Sequence, residues 1–139
     1  MKLRSRQRGQ TLIIIFLGAL LLSGTAASLL DSGKSATELR KEIGHLVADE
    51  DRALRLDGVI ERMEKETGRF RSEHDDLGRQ ALALMERHET RPSEFGPLIE
   101  RADALNAGAR KTLLDLRFEL RRSLSAEEWR SLFGAAPRK

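Results

Sequence analysis

The chain has 139 residues, 34% of them charged, with 25 Lys and Arg against 22 Asp and Glu. Setting aside Lys2, Arg4, Arg6 and Arg8 leaves 21 basic against 22 acidic residues, which argues against the one-sided basic surface that nucleic-acid binding requires. The absence of cysteine excludes disulfides, thiolate metal sites and thiol nucleophiles.

Residues 1–10 form a basic segment, and residues 11–30 (TLIIIFLGALLLSGTAASLL) carry no charge. A helical run of that length, at ~1.5 Å per residue, reaches the roughly 30 Å of a bilayer's hydrocarbon core. It therefore reads as a transmembrane anchor whose basic flank stays in the cytoplasm. A cleavable signal peptide is the alternative, with an apolar core at 12–22 and the small residues Thr25, Ala26 and Ala27 before a cut at Ser28. Ala26, Ala27, Leu29 and Leu30 carry the apolar run beyond what a signal core needs, which favours the retained anchor. Both readings export the remainder. The expected location is the bacterial inner membrane with the C-terminal domain in the periplasm, or the soluble periplasm after cleavage.

Residues 31–35 read as a linker, and 36–134 as one all-α domain, since one Trp, no Tyr and few β-branched residues disfavour sheet. Ser35 and Glu38 form a capping box that starts a helix at about Ala36, with Leu39, Ile43 and Leu46 on its apolar face. Asp49, Glu50 and Asp51 interrupt that pattern and predict a break. From Ala53 a heptad seam follows: Leu56, Met63, Phe70, Leu77 and Leu84 in one set, and Ala53, Ile60, Thr67, His74, Ala81 and His88 in the other. Between them lie Glu and Arg pairs such as Glu61/Lys65 and Glu66/Arg69. Gly58, Gly68 and Gly78 weaken this helix by ~1 kcal/mol each relative to Ala.

The segment Thr90-Arg91-Pro92-Ser93 predicts the end of the long helix, because proline cannot continue its hydrogen-bond ladder. A second apolar stripe then runs through Leu98, Ala102, Leu105, Ala109, Leu113, Leu116, Leu120 and Leu124, widened by Phe95, Ile99, Leu114 and Phe118. Ser125 and Glu128 form another capping box, opening a short helix with Trp129, Leu132 and Phe133 that Gly134 and Pro137 stop. Residues 135–139 are a tail. The expected architecture is a transmembrane or signal helix followed by a long antiparallel helical hairpin with a short helix at each end. So thin a body buries little core, so the widened face predicts a homodimer; the alternative is that the terminal helices fold back and complete a monomeric bundle.

Candidate ligands for a divalent metal (Zn, Ni or Cu) are His74 and His88, with Asp75, Asp76, Glu86, Glu89 and Met85 nearby. Fourteen residues apart on one helix, they lie about 21 Å from each other, so a shared ion needs a partner helix or a second copy. Leu56, Met63, Phe70, Leu77, Leu84 and Trp129 are the candidate interface or client-binding residues, methionine in particular repacking readily against varied apolar partners. The plainer role of the seam residues is core. No Ser/His/Asp constellation or glycine-rich phosphate loop supports catalysis, so the expectation is a non-enzyme.

The segment from Pro92-Ser-Glu-Phe95 through Arg117-Phe-Glu-Leu-Arg-Arg122 to Leu124-Ser-Ala-Glu-Glu-Trp129 resembles the periplasmic heavy-metal-resistance and zinc-resistance-associated proteins. That superfamily includes stress chaperones of the Spy and CpxP type, and the resemblance covers roughly residues 50 to 133. It implies an exported all-α hairpin dimer that either holds unfolded clients without ATP or senses metal for an envelope stress system, so the expected partners are unfolded clients or an envelope signalling partner. Separately, Arg8-Gly-Gln-Thr-Leu-Ile13 is similar to the processing site of type IV pilin-like proteins. The same anchor and seam also suit a single-pass coiled-coil scaffold, like a spanin or a division-complex subunit.

Overall fold

The computed structural model describes residues 34–134. The apolar run 11–30, its basic flank and the tail lie outside the described residues. Those described are helical with no strand among them: α1 (Ala36–Leu46), α2 (Glu50–Glu86), a 3-10 turn (Pro92–Phe95), α3 (Gly96–Ser123) and α4 (Ala126–Phe133). Among them no helix is long and apolar enough to cross a membrane.

Local chemistry sets most of these boundaries. Ser35 caps α1: its hydroxyl accepts from the Glu38 N–H at 3.2 Å, and the Glu38 carboxylate accepts from the Ser35 N–H at 2.7 Å. Ser125 and Glu128 repeat the arrangement at α4, at 3.1 and 2.7 Å. The break between α1 and α2 spans 47–49, slightly earlier than the acidic triplet predicts. Asp49 is a cap rather than a breaker, its carboxylate accepting the Arg52 N–H at 2.9 Å. Glu50 and Asp51 then fill the first turn of α2, where the helix dipole favours negative charge.

At its other end α2 stops at Glu86, ahead of the predicted turn. The Thr90 hydroxyl donates to the carbonyls of Leu84 and Arg87, satisfying acceptors that the next helical turn would otherwise need. Pro92 sits at the start of the 3-10 turn, where its missing N–H costs nothing. Gly134 ends α4, its N–H donating to the Arg130 carbonyl at 2.7 Å. A Cβ there would lie 2.1 Å from that same oxygen, so the close approach requires glycine.

The described chain divides into two compact units. The terminal unit, residues 34–68 and 109–134, takes its core from all four helices: Leu39 and Ile43 of α1, Leu56, Ile60 and Met63 of α2, Leu113 and Leu120 of α3, and Leu132 of α4 are all buried together. Both terminal helices thus fold back on the long ones. Ion pairs stitch the surface of this unit. Arg40 reaches Asp57 at 2.6 Å and Glu64 at 2.7 Å, and Arg62 pairs with Glu119 at 2.6 Å. Lys34 joins Glu42 at 2.6 Å and the Leu132 carbonyl at 3.0 Å, and Arg52 pairs with Glu128. Such partly exposed pairs contribute ~0.2–1 kcal/mol each, so they orient helices more than they stabilise them.

The turn unit, residues 69–108, has a smaller core of Leu77, Ala81, Phe95, Leu98 and Ala102, with Leu84 and Leu105 packed against it. Arg101 links its two helical arms through Gln80 at 2.9 Å, and Arg87 pairs with Glu94 across the turn at 3.5 Å.

Candidate functional site

The residues expected from sequence fall into different environments. Leu56, Met63, Phe70 and Leu77 are buried within the chain's own fold and are not presented on its surface. Leu84 is half-buried against the turn-unit core. Trp129 is half-buried on α4, its ring 4.3 Å from that of Phe133, with the guanidinium groups of Arg117 and Arg121 lying 5.8 and 5.9 Å from its centroid. The aromatic face thus meets two cations of α3, an attraction of ~0.5–1 kcal/mol each at exposed sites.

The histidines do not share a site. His74 is half-buried on α2 with its ring 5.7 Å from Phe70. His88 is exposed and lies in the turn beyond Glu86, not on the helical seam, because α2 has already ended. Among the described residues no group of three or more His, Asp or Glu is placed to hold a metal ion.

The surface also presents large apolar side chains: Leu54 and Leu82, which neither stripe singled out, Met85, and Ile99, Leu114 and Phe118, which the sequence places on the widened face of the second stripe. In the terminal unit Leu54 is 70% exposed, Phe118 50% and Leu114 45%; in the turn unit Leu82, Met85 and Ile99 are also exposed. Leu54 stands at the edge of a groove between α1 and α2, lined by Ile43, Gly44, Ala53 and Ile60 and rimmed by Arg40, Glu50 and Asp57. Two small residues, Gly44 and Ala53, are part of its lining, and nothing lies within 4 Å of a Cβ placed on Gly44. Its walls are mostly carbon and its rim carries both signs of charge. Chemically it can take an apolar side chain from a partner while the rim hydrogen-bonds that partner's backbone.

Several charged groups of the terminal unit, Arg40 at the groove among them, are engaged in pairs. The Arg40 guanidinium is held charged by the hydrogen bonds it donates to the Glu64 and Asp57 carboxylates. The carboxyls of Glu119 and Glu128 are held below the ordinary 4.5, the first chiefly by Arg62 and the second chiefly by the Ser125 N–H of the capping box. These groups stay ionised at neutral pH and act as structural anchors. The sequence signal for the groove was available only weakly, since Leu54 lies one position from Ala53 and off the seam.

Comparison with protein-family models, with curated proteins and with solved structures finds no match to this chain.

Proposed function

We propose that the protein is a membrane-tethered, exported helical protein of envelope stress that holds apolar segments of unfolded clients without ATP. The observation that carries this reading is the preformed groove with Leu54 standing 70% exposed beside it. A contiguous exposed apolar patch with a polar rim marks an interaction surface, and Leu54 together with the carbon-lined groove beside it forms one. Leu82, Met85 and Ile99 supply a further apolar area in the turn unit, and methionine adapts readily to varied partners. The donor placement lends less support to metal sensing, because His74 lies against Phe70 and His88 stands in an exposed turn.

The test is light scattering of a thermally unfolding client with increasing amounts of the protein. Suppression near stoichiometry that weakens in Leu54→Ser supports client holding. An unaltered aggregation curve at several-fold excess rejects it. Stable co-purification with one fixed partner, without suppression, would favour the scaffold reading, in which the same groove seats a single dedicated segment.

A further inference from the structure

A different face of the terminal unit carries a second, independent pattern. Arg110, Leu114, Arg117, Phe118 and Arg121 follow one another on α3 at spacings of three and four, or as adjacent positions on the same side, so they share one helix face. The placement of Arg117 and Arg121 against Trp129 brings the α4 indole to that face, and Phe118 and Leu114 stand half in water between the arginines. The neighbouring carboxylates are already occupied. Asp115 pairs with Lys111 at 2.9 Å, Glu119 with Arg62 at 2.6 Å, and Glu128 with Arg52. Glu127 is the remaining carboxylate of this stretch, and Arg110, Arg121 and Arg130 have no ion pair among the described residues. A chain with almost no net charge beyond its N-terminal segment has thus gathered cations, a tryptophan, a phenylalanine and a leucine on one side of one unit.

Basic residues flanking exposed aromatic and aliphatic side chains are the chemistry of adsorption to an anionic lipid surface, where the cations meet headgroup phosphates and the rings sit at the boundary of the acyl chains. The covalent sequence places such a surface close by. The apolar run 11–30 is separated from α1 by residues 31–35, a linker that spans at most ~18 Å when extended. Lys34, in that linker, is tied to the Leu132 carbonyl of α4, three residues from Trp129. We infer that the Arg110–Arg121 face of α3, with Trp129, docks the terminal unit onto anionic phospholipid headgroups. The inference uses the reading of 11–30 as a membrane segment for proximity, and the face itself does not depend on it.

Trp129 is the single tryptophan of the chain and reports directly on this contact. The full-length protein is mixed with vesicles of phosphatidylcholine alone and of phosphatidylcholine with phosphatidylglycerol, and Trp129 emission and iodide quenching are recorded at low and high salt. The expected result with phosphatidylglycerol is a blue shift and loss of quenching, both reversed by salt. Arg110→Gln combined with Arg121→Gln should weaken partitioning about fivefold per arginine, Phe118→Ser should abolish the shift, and Arg55→Gln, elsewhere on the same unit, should change neither. Identical Trp129 signals on neutral and anionic vesicles at low salt overturn the proposal. So does a response to polyglutamate but not to vesicles, which would point to an acidic protein partner, or an Arg55→Gln loss equal to that of the face variants. Flotation of the protein with neutral vesicles separately reads membrane insertion of the 11–30 run, so failure of the anchor and failure of the face are distinguishable.

Discussion

The terminal and turn units use the same two long helices but are closed differently. In the terminal unit α1 and α4 add Leu39, Ile43 and Leu132 to a core in which Leu56 and Leu120 reach zero exposure. In the turn unit only two helical arms and a 3-10 turn meet, and two of the five core positions are alanine. Each core side chain in the terminal unit is covered from several directions. In the turn unit each is covered chiefly by one opposing arm, so removing an atom exposes its neighbours to water rather than opening a sealed cavity. Local stability should therefore be concentrated in the terminal unit.

The largest expected effect sets the two cores against each other. Leu120→Ala should cost about 3 kcal/mol in urea unfolding, the typical range for a sealed leucine, while Leu98→Ala, 6% exposed in the thinner core, should cost nearer 2 kcal/mol. Equal losses would break the comparison. Hydrogen exchange sharpens it without mutation: amides near Leu77 and Leu98 should exchange at least ~10-fold faster than those near Leu56 and Leu120, a gap equivalent to about 1.4 kcal/mol of local opening.

Next come the caps and their pH dependence. Ser125→Ala should lose about 1 kcal/mol and loosen α4 first, detectable as a change in Trp129 fluorescence before the main transition. Glu38, Glu119 and Glu128 all have carboxyl pKa values below 4.5 in the folded chain, held down by the Ser35 N–H, by Arg62 and by the Ser125 N–H respectively. A depressed folded pKa means that the stabilisation is complete above the unfolded value and is lost as pH falls through the folded one. Two of these three groups act in contacts of α1 and α4, so acid unfolding followed by Trp129 should begin below about pH 4.5, with a shallower slope in Glu128→Gln. A transition insensitive to pH across that range would remove these contacts from the account of stability.

The smallest effects are expected at the interior glycines of α2. No atom lies within 4 Å of a Cβ built on Gly58, Gly68 or Gly78, so replacement by alanine meets no steric cost. Each change should stabilise by about 0.5–1 kcal/mol through helix propensity. Gly58→Ala should slow exchange in the terminal unit and Gly78→Ala in the turn unit. A Gly78→Ala gain that spreads equally through both would mean the units open as one. Gly134→Ala should instead destabilise, because of the Arg130 carbonyl.

Much of the helical outline was legible in the residues because it is local. A Ser followed three positions later by Glu closes its own two hydrogen bonds, so Ser35/Glu38 and Ser125/Glu128 mark helix starts wherever those helices pack. The α2 seam was legible too, since Leu56, Met63, Phe70 and Leu77 are buried at heptad spacing. The pattern failed where a distant contact or a competing hydrogen bond decided. His88 has the right period for the seam but falls past a helix end made by the Thr90 hydroxyl. The candidate groove was only weakly legible, because Leu54 is notable only once α1 and α2 together form the groove beside it.

By itself the sequence determined the helical character of the described residues, their helix starts and their buried stripe, since capping and periodicity act over three to seven residues. Only tertiary structure decided that α1 and α4 fold back, that Arg62 meets Glu119 and Arg52 meets Glu128, and which apolar side chains remain in water. The physical reason is that burial and charge segregation depend on which face a sequence-distant helix covers. A chain with a balance of −1 beyond its N-terminal segment acquires a basic aromatic face only when its carboxylates are drawn to other partners.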